Sequence, residues 1–253
     1  MDLSVIVITH NEEKNIRDCL ESVKWAGEIV VVDAYSTDKT VKICKKYTDR
    51  IFLNRWPGYS KQRTFALEKA SRNWILALDA DERVSPELAE GIKKIVSGQA
   101  VANSYYLPLK NYFLGKWLEH CGAYPSFKLK LFRKGYAKVS EREVQEEFYP
   151  LHSQPHILDC GSIQHYSYAS LEQYIDKFNR HTTLNALEMK KNNLQFSSRD
   201  IIKLPVDTFL DMYIQKEGFM DGLHGLIFCV LSSMYVFVSH AKLWSMESNN
   251  PVP

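Results

Sequence analysis

Over the first hundred positions, short apolar runs rich in β-branched residues alternate with apolar residues spaced three and four apart. Residues 3–8, Leu-Ser-Val-Ile-Val-Ile, read as a buried strand. Ile16, Cys19, Leu20 and Val23 then recur at i, i+3, i+4 and i+7, predicting a helix over about 12–24. Strands follow at 28–32 and 51–54 and helices at about 37–47 and 61–70, before the almost unbroken apolar run 74–78. Ser85 and Pro86 open another helix, the serine as N-cap and the proline at the first helical position. Strands alternating with helices predict βαβ units and a parallel sheet, an α/β fold. The strands lack period-two polarity, as expected where both faces are covered. In such sheets ligands bind beyond the carboxyl ends of the strands.

Between about residues 100 and 168 the rhythm changes to short alternating segments, such as 105–109 and 127–132, which predict antiparallel or mixed strands. From residue 170 onward the pattern is helical, over 171–191, about 198–216 and 218–244. The expected organisation is a catalytic domain over 1–168 and a helical extension over 169–253.

The length of 253 residues suits this arrangement, and 45% hydrophobic and 25% charged residues are ordinary for a protein with a core. A net charge of +2, balanced along the chain, argues against a nucleic-acid binder. The five cysteines contain no C-x-x-C pair, and Cys19 and Cys44 occupy apolar helical positions, so buried free thiols are expected. Met1-Asp2-Leu3 runs directly into the first strand without a signal-peptide pattern, which predicts a cytoplasmic protein.

The chemistry-bearing clusters follow the strands: Thr9-His10-Asn11-Glu12-Glu13 after the first, Asp33 to Asp38 after the second, and Asp79-Ala80-Asp81-Glu82 after the fourth. Two carboxylates two residues apart at a strand end can hold a divalent cation through hard oxygen ligands. Such a cation bridges a diphosphate and polarises a departing phosphate oxygen. A solvated acidic turn capping the next helix is the alternative. Asp33 closes Ile29-Val30-Val31-Val32, where a carboxylate can accept hydrogen bonds from a base or ribose. Asn11 reads equally as a ligand-side residue or as the N-cap of the first helix.

The segments V-I-T-H-N-E-E-K-N-I, E-I-V-V-V-D-A-Y-S-T-D-K-T and W-I-L-A-L-D-A-D-E-R-V, in this order and spacing, resemble family 2 glycosyltransferases with a GT-A fold. With G-Y-S-K-Q-R-T-F-A-L, K-L-K-L-F-R-K-G, Q-H-Y-S-Y and G-F-M-D-G-L-H-G, the chain resembles the bacterial lipopolysaccharide core β-glucosyltransferase group over nearly its whole length. The resemblance implies a GT-A Rossmann-like domain with a mixed sheet. It places Thr9 and Glu12 near the nucleobase, Asp33 on the uridine, Lys61 and Arg63 near the donor, and Asp79 and Asp81 on Mg2+ or Mn2+, Asp81 directly, with Asn11 a further donor-binding candidate. Where the group carries Val-His-Glu, this chain has Val144-Gln145-Glu146. Glu146 matches the glutamate and is the candidate general base; Gln145 puts the acceptor contacts of the usual histidine in doubt. His165 is a candidate to reach back to the metal or diphosphate. His152, His156 and Cys160 do not make a zinc site, since Pro155 interrupts them and a fourth ligand is missing.

The basic residues Lys128, Lys130, Arg133, Lys134 and Lys138 form a stretch without an acid. Period two puts Lys128 and Lys130 on one strand face, opposite Phe127, Leu129 and Leu131, as a solvated face or a surface for acidic sugars or lipid phosphates. Positions 222–241 carry no formal charge, which predicts a helix part core and part lipid-facing at the cytoplasmic side of the inner membrane. Full burial or a contact with a second copy is the alternative there. The expected reaction is inverting transfer from a UDP-sugar, UDP-glucose by resemblance, to a lipopolysaccharide core or related glycolipid or polysaccharide. The rivals are a sugar nucleotidyltransferase, which wants a glycine-rich loop after the first strand, and an inactive sugar-nucleotide-binding membrane scaffold. A dehydrogenase lacks its G-x-G-x-x-G.

Overall fold

The computed structural model describes residues 1–140, 147–168 and 170–248. Its chain divides into two compact units, Met1–Lys110 with Ser126–His165, and Asn111–Pro125 with the carboxy-terminal helices from Tyr166. The segment 111–125, which the sequence pattern groups with the sheet, therefore belongs with the helices.

The first unit is built on β1 (Leu3–Thr9), β2 (Glu28–Asp33), β3 (Ile51–Leu53) and β4 (Trp74–Asp79), interleaved with α1 (Ile16–Ser22), α2 (Thr40–Cys44) and α3 (Tyr59–Lys69). After β4 come β5 (Glu82–Val84), α4 (Pro86–Lys94), β6 (Ser104–Phe113), β7 (Lys116–Trp117) and β8 (Ser126–Arg133). β9 (Ala137–Val139), β10 (Phe148–Pro150), β11 (His156–Ile157) and β12 (Ile163–Tyr168) complete the strands. The main sheet runs β3-β2-β1-β4-β8-β6-β12-β5. β1 pairs parallel with β2 and β4, and β8 joins β4 antiparallel, so the sheet is mixed, as in a GT-A fold.

Both faces of the sheet are covered, which explains the missing alternation. Val5, Val7, Val31, Leu76 and Leu78 pack toward Ile16, Leu20, Leu88 and Ile92, while Ile6, Ile8, Val30, Val32 and Ile75 pack toward Ala66 and Ala70. Ser85 caps α4 as expected, its hydroxyl accepting from Leu88 N at 3.3 Å with Pro86 at the first helical position. α1 starts later than the periodicity predicts. Residues 12–15 form a turn in which Asn15 N and Ile16 N both donate to Glu12 O.

Register sets the site. Thr9 lies beside Asp33 and Ile8 beside Asp79, so the carboxyl ends of β1, β2 and β4 finish level.

In the second unit the end of β6 and β7 form a hairpin, followed in the chain by α5 (Leu171–Lys191), α6 (Asp200–Leu210) and α7 (Gly222–Ser248). Phe113, Leu118, Ala123 and Tyr174 make its core. Buried Asp221 ties the segment after β7 to the start of α7, accepting from His120 N at 2.9 Å and Glu119 N at 3.3 Å. Residues 218–248 are the one stretch, among those described, long and apolar enough to cross a membrane by length and composition, with mean hydropathy 1.7. Much of it faces outward. Leu223, Leu226, Val230, Met234 and Phe237 stand exposed at helical spacing on α7, as do Ile202, Val206 and Leu210 on α6.

Candidate active site

The loops after β1 and β2 are laced into one frame. Asp33 is fully buried, and its carboxylate accepts from Ser36 N at 2.8 Å and from Ser36 Oγ at 2.5 Å. Ser36 Oγ in turn accepts from Asn11 N at 2.8 Å, and Asn11 Oδ1 accepts from Thr37 N at 2.8 Å. Glu12 N donates to Thr40 Oγ1 at 2.8 Å, and Asn15 Nδ2 donates to the Glu12 carboxylate at the same distance. Asn11 therefore braces two loops and does not cap α1, whose first residue lies five positions on. Its φ of 56° falls in the left-handed region, which asparagine tolerates better than most residues. The Thr9 hydroxyl is buried in this frame, and its Oγ1 has no partner among the described residues.

At the end of β4 three carboxylates gather within four residues, and buried cations answer them. Arg63 Nη2 donates to Asp79 Oδ1 at 2.8 Å, and its guanidinium carbon lies 5.9 Å from the centre of the Phe148 ring. Lys130 Nζ donates to Glu82 at 2.8 and 2.9 Å and to Asp79 Oδ2 at 3.4 Å. Side-chain exposure of 7% for Lys130 and 1% for Glu82 makes this a buried ion pair, where loss of one partner is costly. Glu82 Oε2 also accepts from Asp79 N at 2.9 Å, so the pair holds the turn that presents Asp81.

Lys130 corrects the sequence reading. It lies neither on a solvated face nor on a phosphate-binding one, because the β6–β8 register shifts at this point. Leu131 faces Tyr105 and Leu129 faces Tyr106, leaving Lys130 as an extra residue, a β-bulge. The bulge throws Leu129 and Leu131 into cores on opposite faces of the sheet and aims Lys130 at the acidic turn.

His165 arrives from β12, which pairs antiparallel with β5 so that His165 faces Glu82. Its Nε2 lies 3.5 Å from Asp81 Oδ1. Burial alone would lower the imidazole pKa, but Asp81, then Glu82 and Asp79, outweigh it and raise it. Burial would likewise raise Asp79, yet Arg63 and Lys130 hold it well below the usual carboxylate range. Glu82 shifts the other way, pushed up by burial and by the Asp79 charge against the pull of Lys130.

The structure thus brings Thr9, Asn11, Glu12 and Asp33 to one frame, and Arg63, Asp79, Asp81 and His165 to the adjoining turn. It separates Lys61 from Arg63. Two positions apart on α3, they point to opposite sides, so Arg63 is buried and Lys61 exposed. Glu146 and Gln145 lie outside the described residues. The residues that sequence reasoning missed are Lys130 and Glu82. The signal was present as a charge argument: a third acid beside Asp79 and Asp81, if buried, needs cations, and the acid-free stretch 128–138 supplies one.

Residues 4–140 match the sequence profile described as glycosyl transferase family 2. The chain is 28% identical to the lipopolysaccharide core biosynthesis glycosyltransferase LpsC of Rhizobium meliloti, over 98% of this chain and 94% of that one. It is 28% identical to an uncharacterized glycosyltransferase of Rickettsia typhi, over 99% of this chain and 90% of the relative. Among solved structures, S. aureus TarS 1-349 in complex with UDP aligns with 100% of this chain and 93% of its own, at 17% identity and a TM-score of 0.47.

Proposed function

The chain belongs to glycosyl transferase family 2, and we propose that it moves glucose from UDP-glucose, with inversion, onto a lipopolysaccharide core or related glycan. The observation that carries this reading is the level alignment of Thr9, Asp33 and the Asp79–Glu82 turn along one sheet edge. Asp33, rigidly oriented by Ser36, and the buried Thr9 hydroxyl suit a uridine, whose base and ribose offer donors and acceptors. The adjoining turn suits the diphosphate.

A divalent cation fits this turn only with help from the substrate. No group of three His, Cys, Asp or Glu side chains among the described residues could hold an ion unaided. Asp79 is committed to Arg63 and Lys130, which leaves Asp81 and His165, one oxygen and one nitrogen donor. Asp81 with His165 would hold Mg2+ or Mn2+ jointly with the donor's phosphate oxygens, and the ion would offset charge on the leaving UDP. Asp79 then serves by fixing Arg63 beside the phosphates.

In the reaction the acceptor oxygen attacks the anomeric carbon as the bond from that carbon to UDP breaks. The acceptor's proton passes to Glu146, and an α-linked donor yields a β-linked product. Glu146→Gln is expected to lower transfer about a hundredfold or more, the span of general-base catalysis, with UDP-glucose affinity unchanged. Steady-state transfer beside donor titration reads this directly. Transfer surviving in the variant removes Glu146 from the role, and no transfer by the wild type with any UDP-sugar favours the scaffold reading.

The apolar stripes of α6 and α7 support attachment to a lipid surface, where a glycolipid acceptor resides. Ile202 is 69% and Leu223 68% exposed, beyond what a soluble helix normally leaves in water. Lys203 pairs with Asp207 and Lys216 with Asp211, so the attachment rests on apolar area more than on free basic charge. Ile202→Glu with Leu223→Glu should cut co-sedimentation with anionic lipid vesicles by about tenfold or more, since each side chain contributes about 1.5–3 kcal/mol on burial. Unchanged sedimentation rejects the lipid face, and a wild-type dimer dissociated by the same changes assigns it to a second copy.

A further inference from the structure

The geometry points to a saccharide-binding platform in the second unit, made by Tyr112, Trp117, Tyr124 and Tyr166, that receives the sugar rings of the acceptor. This rests on the glycosyltransferase reading above and names where that enzyme holds its acceptor glycan. Tyr112 and Trp117 are directly opposed across the β6–β7 hairpin, so their side chains share a face. Tyr166 stacks on Tyr112 with centroids 4.5 Å apart and planes 16° from parallel. Tyr124 meets Trp117 edge to face at 5.3 Å. The opposed Tyr112 and Trp117 thus each carry a second ring against them, two ring pairs on one hairpin.

These rings are not core. Phe113, next to Tyr112, turns the other way and is buried against Tyr174 and Phe228, while Leu114 and Leu118 of the same segment also pack inward. The four platform rings stay half-buried and belong to none of the hydrophobic clusters. Large rings left at a surface beside aliphatic residues that all turn in are chosen for their faces. The segment between Trp117 and Tyr124 also carries one member of a polar pair, half-buried His120 with Nδ1 3.4 Å from the buried Asp221 carboxylate. A pyranose fits both features. Its axial C–H bonds form an apolar, electropositive face that the negative face of an aromatic ring attracts, and its hydroxyls need polar partners at the rim. A lipid chain would instead seek the aliphatic stripes of α6 and α7.

The test is saturation-transfer NMR with delipidated lipopolysaccharide core oligosaccharide, with aromatic protein protons irradiated, on the full chain. Wild type should transfer saturation to pyranose ring protons. Trp117→Ala should weaken oligosaccharide binding about tenfold and raise the acceptor KM correspondingly, with donor affinity unchanged, whereas Trp117→Phe should retain most of it. Tyr166→Ala provides a second variant should Trp117→Ala fail to fold, judged by circular dichroism. Folded Trp117→Ala and Tyr166→Ala that bind the oligosaccharide within twofold of wild type, or absence of transfer to wild type, overturn the platform. Loss of UDP binding or turnover, measured separately, strikes the donor reading and not this one.

Discussion

Asp81→Ala is expected to abolish metal-dependent UDP binding and to lower sugar transfer by more than about a thousandfold, the scale of losing several kcal/mol of charge stabilisation at the leaving phosphate. The acidic turn holds three carboxylates, and buried cations hold two of them. Asp79 faces Arg63 at 2.8 Å, and Glu82 grips Lys130 through both oxygens. Asp81 Oδ1 lies 3.5 Å from His165 Nε2, and a half-buried imidazole can turn from donor to ligand as a cation enters. Removing Asp81 leaves a turn dominated by Arg63 and Lys130. UDP could still bind weakly there by charge, but Mn2+ would no longer improve it. Calorimetric titration of UDP with and without Mn2+ into wild type and Asp81→Ala reads each part. Wild-type binding indifferent to Mn2+ removes the metal from the mechanism; no binding to folded wild type under either condition removes UDP.

The parts of this site that the sequence revealed are those fixed by one strand and the turn after it. Asp33 and Asp79 each end an unbroken apolar run, and a run covered on both faces cannot end in a carboxylate except at the sheet's edge. What local pattern could not explain was set by long-range pairing. Arg63 looks like a surface helix residue until β10 places Phe148 near it and Asp79 neutralises it. His165 reaches Asp81 because β12 returns antiparallel to β5, which no local pattern announces. Lys130 was hidden more deeply. A strict period of two groups it with Lys128, which is half-buried and paired with Glu147, and one bulged residue sends the two lysines to different environments. The hairpin segment 111–125 has strand-like alternation, yet it packs with helices, because Phe113, Leu118 and Ala123 find their partners at Tyr174 and around it.

Lys130→Met should destabilise the protein by about 3–5 kcal/mol, the usual result of stranding one member of a buried ion pair. Methionine fills much of the same volume, so the loss comes from charge and not from a cavity. Glu82 would keep the Asp79 N–H as a donor, at 1% exposure and with its pKa already raised by burial and by Asp79. It would take up a proton, and Asp79 would lose one of its two cations. For a chain of this size each kcal/mol shifts the melting midpoint by about 2–4 °C, so a fall on the order of 10 °C is expected. The informative comparison is Glu82→Gln on both backgrounds. If the pair is the cause, Glu82→Gln should be costly alone and close to neutral once Lys130 is methionine, because no buried charge is then left unpaired. UDP titration on the double variant separates stability from function: with the pair gone the turn folds but presents Asp81 less rigidly, and affinity in Mn2+ falls. Additive melting shifts for the two substitutions would mean that Lys130 and Glu82 act independently, and that something other than their ion pair holds the turn.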